Sequence, residues 1–187
     1  KDTYLKQAFA EAKLVNGVGD AERWYSMLST SQVKALQERI DLDFAPANKV
    51  FYKASDPVSL KVSIKNVKKL IVRVFEINTF NFYSRNLQPV NTAINLDGLA
   101  ATREQTYNYD ERPLRRVERN FNFPELKKRG VYVVEFIGNG RSSRALISKG
   151  NLRVLEDTGS AGHEFRVLDE DNKACPKATL WLSGHEY

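Results

Sequence analysis

Cysteine, histidine and methionine are nearly absent from this chain. Cys175 is the only cysteine, so no disulfide closes within the chain, and neither a cysteine-based zinc site nor a secreted disulfide framework is available. The two histidines, His163 and His185, and that one thiol are the whole supply of nucleophile and base partners beyond carboxylates and hydroxyls. No stretch approaches the roughly 20 apolar residues needed to span a bilayer, and Lys1 to Ala10 lacks the apolar run of a signal peptide. The chain does not begin with Met, and the expectation is a fragment of a larger protein.

What is abundant is core material. Hydrophobic residues make up 42% of the 187 and aromatics 11%, enough for a packed core without metals or disulfides. A formal charge of +6 is a modest basic excess that favours polyanions only if it clusters.

Residues 1–38 carry helical spacing. Leu5, Ala8, Phe9 and Ala12 fall at i, i+3, i+4 and i+7 and are expected to form the buried side of a first helix ending at Asn16, Gly17 and Gly19. Asp20 and Ser31 are candidate caps for two more short helices presenting Trp24, Met27 and Leu28, then Val33, Leu36 and Ile40.

From Arg39 the period drops to two, and strands are expected over a sandwich spanning 39–156. Val58, Leu60, Val62 and Ile64 alternate with Ser59, Lys61, Ser63 and Lys65, so the second set is expected to be wet. Leu70–Ile77 is apolar on both sides, as in a central strand covered twice, and with 58–64 it reads as a hairpin. Residues 79–113 read as a long excursion with a short strand candidate at Ala93–Leu96. Val131–Ile137 is a second strongly apolar strand, Gly138-Asn139-Gly140 supplies a tight turn, and Arg144–Ser148 is expected to return antiparallel, with Leu152–Leu155 after it.

Residues 157–162 read as a small-residue linker, and 157–187 as a terminal hairpin pairing His163–Leu168 with Ala178–Leu182. That hairpin either docks on the sandwich or begins a further β domain, the second being favoured because a lone hairpin is marginal in water. The expected fold class is mainly β, an antiparallel Ig- or fibronectin-like sandwich behind a short helical segment.

Pro57 to Val62 through Leu70 to Val74, Leu126 through Gly130 to Glu135, and Phe165 to Asp169 followed by Ala178 to Leu180 together resemble domains of the alpha-2-macroglobulin-like family. The resemblance covers roughly residues 50–187. It implies a very large protein of serial β-sandwich domains, often extracellular or at a cell surface and often trapping proteases. The family's reactive thioester needs a Gly-Cys-Gly-Glu-Gln type motif, whereas Cys175 stands in Ala174-Cys175-Pro176-Lys177, so no functional residue carries over.

Catalytic candidates are thin, and the chain reads as a non-enzymatic module needing no cofactor and no metal. A Cys175–His163 dyad would pair a thiol with a base, but Cys beside Pro176 reads as structural filler. His163-Glu164 and His185-Glu186 have the composition of metal ligands without a second His at helical spacing. Gly138 to Ser143 lacks the Gly-Lys-Ser/Thr ending of a phosphate loop and reads as a turn. The best binding candidate is the basic zone of Arg112, Arg115, Arg116, Arg119, Lys127, Lys128 and Arg129, with Tyr107 and Tyr109 before it, as a polyanion or glycan site. Arg115 and Arg119 share parity with Val117 and Phe121, whereas Arg116 falls opposite with Glu118. The plain alternative is charged guards on an edge strand. The expected partners are other domains of the same parent protein or a protein ligand.

Overall fold

The computed structural model describes residues 2–182 and 185–186, with side chains through Trp181. Three helices come first: α1 (Asp2–Asn16), α2 (Ala21–Tyr25) and α3 (Thr30–Glu38). Gly17 ends α1 at φ 63°, with its amide bonded to Leu14 and the Val18 amide to Lys13, the left-handed closure that glycine adopts without a Cβ clash. The Asp20 carboxylate caps α2, and Ser29 with Gln32 forms a reciprocal capping box on α3. Cap positions are thus legible locally, although Ser29 and not Ser31 caps α3.

The buried side of α1 differs from expectation. Ala10, Leu14 and Val15 pack with Trp24 and Leu36, supported by Leu114, while Leu5 and Phe9 are exposed. The helix carries two apolar stripes, and tertiary packing takes up the other one. Phe9 meets only the edge of Trp24, 5.6 Å between centroids.

The sandwich follows. Strands β1 (Asp41–Phe44), β3 (Ser59–Lys65) and β6 (Arg116–Asn122) form one sheet in the order β1-β3-β6. Strands β2 (Phe51–Tyr52), β4 (Lys69–Ile77), β5 (Arg103–Asn108), β7 (Gly130–Gly138) and β8 (Arg141–Lys149) form the other, in the order β2-β8-β7-β4-β5. All pairings are antiparallel except β2 with β8. The Ig-like sandwich expected from the alternation is therefore present.

The hairpin expected between residues 58–64 and 70–77 is not. β3 and β4 lie in opposite sheets, because Asn66 at φ 56° and Val67 carry the chain across the sandwich instead of back along the same sheet. Val67 then fills the space beside Gly138, where a Cβ would meet it at 2.5 Å.

β4 and β7 serve two cores, which explains their apolar runs. Leu70, Val72, Val74, Val134 and Phe136 face Leu60, Val62, Ile64 and Phe121 across the sandwich. Phe75, Ile77 and Val133 face outward, under Ile94 and Leu96. The excursion is therefore a cover, and Ala93–Leu96 lies over the sheet as irregular chain between turns rather than as a strand. It also contains α4 (Thr79–Asn86) and leads into β5, neither foreseen in the pattern. The buried Glu135 carboxylate accepts from Arg144 at 2.8 Å, and Arg144 donates to the Ile94 carbonyl at 2.9 Å, which pins the cover.

β9 (Arg153–Gly159) and β10 (Gly162–Leu168) pair with each other from Arg153↔Leu168 to Gly159↔Gly162. Residues 157–162 are thus strand and turn rather than a linker, and β10 takes β9 rather than 178–182 as partner. β11 (Trp181–Leu182) pairs with β12 (His185–Glu186). No helix among the described residues is long and apolar enough to cross a membrane.

Candidate functional site

Of the seven residues of the basic zone, Arg115, Arg116, Arg119 and Arg129 are held by different partners. Arg115 lies just before β6 and donates to the Asn16 carbonyl at the end of α1, where unpaired helix carbonyls favour a cation. Arg116 pairs with Asp43 at 3.0 Å and reaches toward Asp41. Arg112, Lys127 and Lys128 are exposed and carry no ion pair among the described residues. A polyanion grips one continuous face of unspent charge, and only these three offer it.

Arg119 does join the tyrosines. Its guanidinium sits 3.9 Å from the Tyr109 ring centroid and pairs with Glu111. Tyr109 stacks on Tyr107 at 6.4 Å, and Tyr107 meets Phe121 edge-on at 5.3 Å. These side chains line a groove of about 590 Å³ between the edge strands β5 and β6, together with Arg103, Gln105 and Asn120. Burial pushes the Tyr109 hydroxyl up to about 12, against the opposing pull of Arg119, so it stays protonated at neutral pH.

Arg129 has a structural post. It donates to Glu170 at 2.5 Å and approaches Asp169, while the Ala54 amide donates to the other Glu170 oxygen at 2.8 Å. Lys53 pairs with Asp171 at 2.6 Å. The acidic turn 169–172 is therefore a polar clamp holding β10 to the sandwich end. The Ala54 amide first, then Arg129, hold the Glu170 carboxyl at about 2, below its ordinary 4.5. A depressed carboxyl stabilises the fold fully above 4.5 and loses that contribution as pH falls toward 2. Wild type is accordingly expected to lose stability more steeply than Glu170→Gln over that range, as read from denaturation midpoints at successive pH values.

The sequence missed a second feature at the other end of the sandwich. Lys65, expected on the wet side of β3, is 1% exposed, and its ammonium donates to the Leu36 and Arg39 carbonyls, each at 2.5 Å. The Asn66 amide donates to the Gln37 and Glu38 carbonyls at 3.0 and 3.1 Å. Two consecutive side chains thus close the carboxyl end of α3. The only local signal was Lys65 followed by a residue suited to positive φ.

His163 bonds Glu156 across the ribbon at 2.8 Å, and the Cys175 thiol faces the Lys173 carbonyl of its own turn. Neither arrangement sets a base against a nucleophile. The side chains of His185 and Glu186 lie outside the described residues, and among the described ones no cluster of three or more His, Cys, Asp or Glu could hold a metal.

Comparison with known proteins adds direct relatives. A family described as the first immunoglobulin-like domain of AbpF matches residues 70–150, and one described as the Actin-binding protein F N-terminal domain matches residues 1–40. Among solved structures, the chain is similar to native alpha-2-macroglobulin from Escherichia coli spanning domains MG0-NIE-MG1. That match has 14% identity and a TM-score of 0.46 over 72% of this chain and 46% of that one. A second structure of the same protein, spanning NIE-MG1, matches at 15% identity and a TM-score of 0.38 over 73% of each chain. The Ig-like sandwich stands on the strand pairings themselves, and the macroglobulin resemblance is one of structure only. In sequence, all of this chain aligns with Actin-binding protein F of Dictyostelium discoideum, 40% identical over 190 residues, and spans 8% of that protein's length.

Proposed function

We propose that this chain is a non-catalytic interaction segment of a larger multidomain protein, a helical lead-in fused to an Ig-like sandwich, and that its partner is actin. The alignment carries this reading: at 40% identity it covers all of this chain, helices, sandwich and terminal ribbon alike, against a protein named for binding actin. The fused construction supports it. Lys65, Asn66 and Arg115 tie α1 and α3 to the sandwich, so the helices present a surface of fixed orientation. Residues 1–187 are expected to pellet with filamentous actin in a saturable manner in a sedimentation assay. An absence of saturable pelleting above an actin-free control at physiological salt removes actin as the partner of this segment.

Residues 157–187, together with the first half of β9, belong on this reading to the opening of a further β domain. The match to the first immunoglobulin-like domain stops at residue 150. Val154 and Leu155, on opposite sides of the β9–β10 ribbon, and Leu152 just before it are all exposed, and a two-stranded ribbon is marginal in water alone.

A further inference from the structure

β4 and β5 are antiparallel neighbours, so a loop of about two to five residues would join them. The chain spends residues 78–102 instead. Part of that length is accounted for by Ile94 and Leu96, which cover the sheet. The outward side of α4 is not. Phe80 and Tyr83, at i and i+3, are 49% and 56% exposed, and Leu87 at the cap is 76% exposed. Leu87 sits at φ 52°, a conformation that Gly or Asn adopts at lower cost and that a bulky side chain rarely takes. The Leu87 backbone closes α4 by donating its amide to the Tyr83 carbonyl, a task that needs no leucine side chain, and that side chain lies exposed beside two exposed aromatics.

One side chain already lies on that stripe. Trp181 of β11 packs on Phe80, with ring centroids 4.8 Å apart, and is itself 46% exposed. Together with the clamp of Arg129 and Ala54 on Glu170, this is a second attachment of the terminal strands to the sandwich, apolar where the first is polar.

We propose that the outward side of α4 is the seat for the β domain opened by β9 and β10, whose remaining strands cover Tyr83 and Leu87 in continuation of the Trp181–Phe80 contact. This rests on the reading that those strands begin a further domain. The two attachments then fix the orientation of successive domains. Without an apolar interface, relative motion is the default.

The test uses the parent protein carried through the following domain, with fluorescent probes on the two domains, and the double variant Tyr83→Ser/Leu87→Asn. Both positions are exposed, and Asn suits the positive φ, so residues 1–187 alone should unfold at an unchanged or slightly higher temperature. In the longer protein, the inter-domain distance distribution should be narrow in wild type and broaden in the variant. Hydrogen exchange of β9–β10 separates the two ways of failing. If those amides are protected but the distribution does not change, the seat is wrong; if they exchange freely in the longer protein, the domain reading falls and the seat with it. Concentration-dependent dimerisation of residues 1–187 that the variant abolishes, or lost actin pelleting with the inter-domain distribution intact, overturns the proposal in favour of that other occupant.

Discussion

Replacing Phe136 by alanine is expected to destabilise the chain by about 3–5 kcal/mol, the cost of emptying a fully buried aromatic site that cannot collapse. Phe136 lies in the last third of β7 with no exposed surface, and it meets Phe44 and Phe121 edge-on at 5.3 and 4.9 Å. Those rings come from β1 and β6, the two outer strands of the facing sheet, so one ring joins both sheets. Aromatic pairs in this geometry add to the burial term. Chemical denaturation checks it, and a loss below about 1 kcal/mol would mean that the two sheets repack without this ring.

Lys65→Met should cost about 2–4 kcal/mol, because it keeps the apolar stem but removes charged hydrogen bonds to one buried and one half-buried carbonyl. The loss should fall unevenly. Hydrogen exchange should rise in α3 and around Trp24, while the β4–β7 ladder, which Lys65 does not touch, keeps its protection relative to global unfolding. Burial holds the Lys65 ammonium below its ordinary 10.5, only partly opposed by Asp41. Between the lowered folded value and 10.5 the unfolded chain binds more protons, so wild-type stability gains on the variant as pH rises through that window. An equal loss of protection in helices and sheets would show that the helical segment has no separate attachment to lose.

Several features were determined by the sequence alone, because they depend only on the direction of successive side chains. Alternation in 58–64 and double-sided apolarity in 70–77 and 131–137 mark strands and their burial whatever their partners, since strand side chains alternate with period two. Val62, Ile64, Val72, Val74, Val133 and Phe136 are all buried, as that pattern requires. Gly17 and the Gly138-Asn139-Gly140 turn likewise follow from backbone freedom at single positions.

Which elements meet was decided only in three dimensions. β3 and β4 are adjacent in the chain yet lie in opposite sheets, and β10 chose β9, because periodicity labels a face without naming what covers it. α1 offered two apolar stripes, and only the position of Trp24 and Leu36 selected Ala10, Leu14 and Val15. The same holds for charge. Arg116 reads as a free cation beside Arg115 and Arg119 until Asp43 arrives from a distant strand, and Arg129 until Glu170 does. Ion pairing falls off within a few ångströms, so whether a cation is spent or available depends on neighbours in space that no local run of residues encodes.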